Sequence, residues 1–337
     1  MAIGPGWAGS ETLAQTSAGY DLRPLSTGEV LDRTFQLYRS RFALFASLSA
    51  LPAGVSFLVQ TIQVFTMQGE KVFANGKHVI VATHPIATAV TSIVSGLLTF
   101  ALYGITQAAT TWAVSEIYLG NPAVLSKAWK AATAHWVRYI LVMLRMYWSI
   151  FWVPGLAFAA AVILFAIPRV RGSSTPFSSL AIVVYVLIGV GSVGCIYSIF
   201  AALRVALSIP ASVIESLRPN AAIRRSMALL TERKIRIFLL WLLIVAMSLV
   251  IVIIMTPLSM IAAQSHGAER YILQMVSLTA SFLSRLVIGP VGAIAICLFY
   301  FDERVRREGF DIEFLMQRAT QTNPNPAVEG SASPAPA

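Results

Sequence analysis

Six stretches of this chain are almost wholly apolar: Phe42–Phe65, Pro85–Val114, Met146–Pro168, Ser179–Leu203, Ile237–Gln264 and Tyr271–Phe301. Each reaches the ~20 residues that a helix needs to cross the hydrocarbon of a bilayer. Five carry no formal charge, and the sixth is interrupted only by Arg285. A chain of this size has no soluble surface with which to cover six such runs. The pattern predicts an all-α integral membrane protein with six transmembrane helices as three helix pairs, joined by amphipathic helices that lie in the interface. Residues 23–319 form the membrane domain, with possible internal repeats. The segments 1–22 and 320–337, rich in Gly, Ala, Ser, Thr and Pro, are expected to be disordered tails.

Between the apolar runs the polar positions are also ordered. Ser26 and Glu29 have the spacing of a capping box, with Leu25 and Val30 placed as a hydrophobic staple. Val30, Leu31, Phe35, Tyr38 and Phe42 then share one helical face, opposite Asp32, Arg33, Gln36 and Arg39. Glu116 precedes Asn121 by the same interval that separates Glu215 from Asn220, and each Asn has a Pro beside it. Asn favours the N-cap and Pro the first helical turn, so both are expected to open basic interfacial helices. A Pro follows in each next span, at Pro154 and Pro257, as Pro52 does after the first unit. Asp302 takes the place of the two Glu residues, and Asp302–Arg318 is again amphipathic. Glu70–Val81, centred on Asn75-Gly76, carries the signal of a two-residue β-hairpin.

Composition agrees with the apolar pattern: 57% of the 337 residues are hydrophobic and 12% charged, where a soluble domain has about 25% charged. The formal net charge is +10. Its placement is asymmetric. Nineteen Lys and Arg residues fall on the side that carries both chain ends, and five on the other: Lys71, Lys77, Arg169, Arg171 and Arg270. The excess of positive charge on cytoplasmic segments puts both termini in the cytoplasm. The first 19 residues hold no Lys or Arg, so they lack the basic start of a signal peptide, and the first span is expected to be retained.

The same basic residues suggest a partner. Arg224, Arg225, Arg233, Lys234, Arg236, Arg304, Arg306 and Arg307 are expected to contact the anionic headgroups of membrane lipids, at about 1 kcal/mol per charge near the surface. Trp129, Trp136, Trp148 and Trp152 would form a headgroup belt beside them. Nucleic acid is not expected, because these arginines alternate with acids and apolar anchors; a protein partner of unknown identity is a further possibility. Five charged residues near membrane depth, Arg204, Glu116, Glu215, Asp302 and Arg285, are candidates for a polar cavity open to the cytoplasm. In that reading Arg204 meets one of the three carboxylates; in the alternative, Arg204 and Arg285 snorkel to the interface.

Groups for catalysis are few. The four histidines, His78, His84, His135 and His266, have no second His or Cys at metal-ligand spacing. Cys195 and Cys297 lie within apolar runs, and no phosphate-binding loop, nucleophile elbow or dinucleotide fingerprint is present. No cofactor, no metal and no enzymatic activity are expected. Gly189, Gly191 and Gly194 suit close helix packing in lipid.

Three segments carry a family resemblance. PLSTGEVLDRTFQLYRSRF near the start, NAAIRRSMALL in the middle and YFDERVRREGFDIEFLMQ near the end resemble the membrane domain attached to some bacterial glycerophosphodiester phosphodiesterases, and free-standing multispan proteins of that group. Pro24, Gly28, Asp32, Arg33, Arg39, Asp302, Arg304, Arg306, Glu308, Gly309, Phe310 and Asp311 carry the likeness, which spans about residues 20–318. The catalytic barrel of those enzymes has no counterpart here, so the resemblance implies a membrane module and no hydrolase residue. The expectation is a non-catalytic protein that organises lipid or a partner protein through basic interfacial helices. The alternatives are a small permease-like subunit and, third, a membrane enzyme acting on lipid.

Overall fold

The computed structural model describes residues 24–66, 69–74, 77–82, 85–171, 177–231, 234–265 and 267–309. In chain order the elements are α1 (Thr27–Ser40), α2 (Phe42–Thr66), β1 (Gly69–Ala74), β2 (Lys77–Ala82), α3 (Pro85–Tyr118), α4 (Leu125–Ala134), α5 (Trp136–Arg171) and α6 (Phe177–Val205). They continue with α7 (Ser208–Ile214), α8 (Pro219–Leu229), α9 (Lys234–Gln264) and α10 (Gly267–Glu308). Among the described residues six segments are long and apolar enough to cross a membrane: α2, α3, α5, α6 running on into α7, α9 and α10. The chain is a multi-pass membrane protein. The two strands pair antiparallel, with Glu70 opposite Val81 and Ala74 opposite Lys77. Asn75 and Gly76 between them, and the whole of both expected tails, lie outside the described residues.

The spans are longer than the apolar runs suggest. α5 begins at Trp136 and carries Arg138 and Arg145 within the helix, ahead of the run starting at Met146. α10 continues through Asp302 to Glu308 and is 42 residues long, about 63 Å at 1.5 Å per residue. Asp302 therefore opens no separate interfacial helix. The helix stops at Gly309, whose φ of 62° is the left-handed conformation that glycine takes without steric cost.

Most buried side chains gather at one end of the bundle. Leu25, Val30 and Leu37, Phe45 and Leu48, Ala108 to Tyr118, Leu203, Leu207, Leu229, Leu230 and Ile294 to Phe301 form one continuous cluster. This is the end that carries the arginine-rich segments, and it is called the basic end below. Tyr118 stacks on Phe301 there, with ring centroids 4.9 Å apart. Away from it the spans turn apolar side chains outward, as Ile86, Ile93, Leu97, Leu156 and Ile253 do, which only lipid can cover. α10 organises the fold: it packs against α1, α2, α3, α7, α8 and α9. α5 and α6 pack mainly on each other, and α2 contacts both α3 and α10.

Local sequence explains the helix ends, in two places differently from expectation. The capping box forms: the Glu29 N–H donates to Ser26 Oγ at 3.2 Å and the Ser26 N–H to Glu29 Oε2 at 2.6 Å. The buried stripe of α1 is Val30, Thr34 and Leu37, whereas Phe35 and Phe42, assigned from the sequence to the inner face, are exposed. The staple fixes Val30 inward, and the i+4 and i+7 positions from it are 34 and 37. Neither Asn121 nor Asn220 is an N-cap. The N-H groups of Gly120 and Asn121 donate to the Ile117 and Glu116 carbonyls at 3.1 and 2.8 Å. With Gly120 at φ 86°, this is the glycine-terminated end of α3. Asn220 is the second residue of α8, behind an Arg218 cap, with Pro219 at its first turn. The two Asn-Pro segments thus do different jobs, one ending a helix and the other lying inside one.

Candidate binding site

Two polar regions stand out. The first is a charge cluster at the basic end, built by α8, the start of α9 and the last two turns of α10. Within α10, acids and bases alternate so that Asp302 meets Arg306 at 3.0 Å and Arg304 meets Glu308 at 3.1 Å, each four residues apart. Asp302 is buried and fully partnered. It accepts from the Leu25 N–H at 2.7 Å, pairs with Arg236 at 2.9 Å and takes both Oδ atoms to Arg306 Nε at 3.0 and 3.1 Å. Arg236 also donates to the Leu25 carbonyl at 2.8 Å, as Arg306 does. Glu303, equally buried, lies 3.3 Å from Arg236 and 3.8 Å from Arg307.

The other half of the cluster is centred on Glu215, at the end of α7. Arg225 reaches it with Nε at 3.0 Å and Nη2 at 2.8 Å and donates to Glu308 at 2.7 Å. The Tyr300 hydroxyl donates to the same carboxylate. Burial would raise the Glu215 carboxyl, but the hydrogen bonds from Arg225 and Tyr300 and the charges of Arg225 and Arg304 hold it below the usual carboxylate range. Burial alone would lower Arg225, and Glu215 and Glu308 more than reverse that, holding its guanidinium above its ordinary value. Arg138 closes the edge of this region, donating to the Ser216 carbonyl at 3.2 Å.

Most of the residues expected at lipid headgroups have partners within the protein. Arg225, Arg236, Arg304, Arg306 and Arg307 meet its own carboxylates and carbonyls. Arg224 is exposed on α8, Arg233 lies outside the described residues, and nothing is described of the Lys234 side chain. Nor do the tryptophans form one belt. Trp148 and Trp152 lie about 18 and 24 Å along α5 from Trp136, too far to share its headgroup level.

The second region is a chamber of about 740 Å³ between α2, α3, α9 and α10. Its polar lining comes from Ser49 and Ser56 of α2, Thr99, Tyr103, Thr106, Gln107 and Thr110 of α3, Ser248 of α9, and Ser281, Ser284 and Arg285 of α10. On α2, α3 and α10 these residues recur at helical spacing and so share a face. That period is the signal by which the chamber could have been found in the sequence; search for charged residues passed over it. The packed aromatic and aliphatic layer around Phe45, Leu48, Ile294 and Leu298 lies on the chamber's basic side. A smaller cavity of about 300 Å³ lies one to two turns the other way, lined by Gln60, Gln63, Arg270, Tyr271 and Gln274 among others.

The five candidate cavity residues therefore separate. Glu215 and Asp302 belong to the two halves of the charge cluster. Glu116 is half-buried on α3 and outside that cluster. Arg204 is exposed at the end of α6, where its carbonyl accepts from Ser226 Oγ at 2.9 Å; Arg225 holds the place expected for it. Arg285 alone lines the chamber. Sequence reading missed Glu303, Tyr300 and Arg138 in the cluster. Among the described residues no group of three His, Cys, Asp or Glu side chains could hold a metal ion. Cys297 is buried with its thiol 3.7 Å from the Thr111 carbonyl, and Cys195 faces outward. Comparison with known proteins returns no matching family model, no matching curated protein and no matching solved structure.

Proposed function

We propose that this is a non-catalytic multi-pass membrane protein that organises lipid by holding a lipid-like molecule in the chamber between α2, α3, α9 and α10. The observation that carries the reading is the chamber itself: about 740 Å³, within the 300–1,000 Å³ of ligand sites. It is lined by hydroxyls, one carboxamide and one guanidinium among apolar groups. Such a lining binds an amphipathic molecule and offers no acid–base pair for cleaving one.

In this proposal the basic end and both termini are cytoplasmic, in a bacterial inner membrane. The spans pair α2 with α3, α5 with α6 and α9 with α10, and α1, α4 and α8 are the interfacial helices. The resemblance to the membrane module of glycerophosphodiester phosphodiesterases belongs to the same proposal. It is supported by the meeting of its first and last motifs, Leu25 against Asp302.

The test is native mass spectrometry of protein purified in mild detergent. Gly96 lines the chamber and has open space where a side chain would start, so G96F adds a ring at the chamber wall without moving backbone. Wild type should retain a lipid-mass adduct that G96F loses; equal retention by the two overturns the reading.

A permease-like role is the second reading, favoured by the smaller Gln-lined cavity that prolongs the α2–α10 interface away from the basic end. Labelling of S56C and Q60C by a membrane-impermeant thiol reagent added from outside separates the two: reaction at both supports passage, protection at both supports lipid storage.

A further inference from the structure

Among the described arginines of the second half of the chain, Arg285 is the one that lines the chamber. The chamber it lines contains no Asp or Glu, and the carboxylates of the basic end are already committed to Arg225, Arg236, Arg304, Arg306 and Arg307. It also lies deep. Phe57 of α2 packs on Phe282, with centroids 5.6 Å apart. Farther out Phe65 stacks on Tyr271 at 5.8 Å, and toward the basic end Gly289 lies against Ser49. This register sets Arg285 level with the middle of α2, about 18 Å along the helix from either end. An arginine side chain cannot snorkel that far, so Arg285 does not sit near the outer border as a snorkelling residue would. A charge held at mid-depth with no protein counter-ion calls for one from elsewhere. A second group points to the same place. Thr106 Oγ1 lines the chamber, is buried and has no hydrogen-bond partner, a state that costs free energy until something occupies the site.

Resting on the function proposed above, we infer that the chamber takes an anionic membrane lipid, with its phosphate or carboxylate headgroup on Arg285 and Thr106. Shape supports the lipid as source of the anion. The lining is mostly apolar beyond these polar groups. α3 and α9, on opposite flanks of the chamber, are not one of the packed helix pairs, which leaves a gap for an acyl chain to pass into the bilayer. Tyr103 and Gln107, one turn apart on α3, supply further hydrogen bonds to the head.

The experiment uses the full chain in detergent micelles doped with equal amounts of phosphatidylglycerol and phosphatidylcholine, read by native mass spectrometry. Wild type should retain phosphatidylglycerol about tenfold over phosphatidylcholine, the worth of one charge-assisted hydrogen-bonded contact. R285Q should lose that preference, R285K should keep part of it and T106V should weaken it. S192A, on the exposed face of α6 away from the chamber, should leave it unchanged. Melting of each variant, followed by circular dichroism, shows that the helical fold is retained; if R285Q fails to fold, R285K and T106V still decide. Retention of both lipids alike by wild type overturns the anion assignment and leaves the lipid-holding function standing. Retention of neither overturns both. Displacement of phosphatidylglycerol by millimolar inorganic phosphate would identify a soluble anion as the occupant and overturn the assignment to a lipid.

Discussion

The backbone N–H of Leu25 donates to Asp302 Oδ1 at 2.7 Å, between residues 277 positions apart. Around this bond Arg236 and Arg306 bridge the carboxylate to the Leu25 carbonyl. A single buried side chain thus ties the residue before α1 to both α9 and α10. D302A removes it, strands the Leu25 N–H and takes one of the two carboxylates from Arg236. The expected cost is about 3–5 kcal/mol, the range for breaking a buried ion pair from one side. It should appear as a large fall in melting temperature in detergent, and D302N should recover only part of it. A D302A protein that melts with wild type would show that the tie carries no stability.

Arginines at the basic end should divide sharply. R224Q, on the exposed face of α8, should change stability by no more than about 0.5 kcal/mol. R225Q and R236Q each leave acids without their cation and should destabilise clearly. Scanning fluorimetry of the three single variants tests this; equal effects from all three would mean that surface charge density, and not pairing, is what matters there.

Acid should loosen the cluster. The Glu215 carboxyl titrates below the ordinary carboxylate range when folded, so within that range the unfolded chain binds more protons than the folded one. The stabilisation from Glu215 is fully present above its unfolded pKa and is lost as pH falls through the folded value. Melting temperature measured from pH 7 downward should drop below about pH 4.5, and E215Q should show a smaller drop from a lower starting point. Identical pH profiles for wild type and E215Q would refute the assignment.

Helix α6 approaches α5 through two of its three glycines. A Cβ on Gly194 would lie 3.1 Å from Pro154 N and 3.2 Å from its Cα, which are backbone and cannot yield, while Gly189 faces open space. G194A should cost about 1–3 kcal/mol by overpacking and G189A should be neutral or mildly stabilising, alanine being the better helix former. Comparing the two melting temperatures is sufficient, and the reverse order would contradict the packing.

Orientation is open to a direct test. Reporter fusions after Ser126, Ala222 and Ala319 should report the cytoplasm, and fusions after Gly76, Gly172 and Gly267 the outside. One inversion among the six would undo the charge argument.

The six spans were legible because an apolar run of that length has one physical outcome in water and lipid, and the Ser26–Glu29 box because its partners are three residues apart. What the sequence hid was long-range. The acid–base alternation of Asp302–Glu308 is visible as i,i+4 pairs, yet nothing local says that Leu25 or Arg236 comes to meet it. The protein acids that Arg225 and Arg236 meet could therefore not be read from their own neighbourhoods in the chain. The chamber went unseen because Ser, Thr and Gln in a span are individually unremarked, and only their common helical face gives them meaning.

Because α1, α2 and α3 all pack on α10, the order of synthesis has a cost. The first three helices leave the ribosome long before the surface that completes them exists. Until α10 arrives, the aromatic layer around Phe45 and Tyr118 lacks its opposite wall, and the Leu25 backbone lacks Asp302. The early helices must wait in the bilayer as separate, incompletely packed units, so quality-control proteases should meet this protein mainly in that interval. A chain cut short before Phe299 should be cleared, although every earlier span is intact.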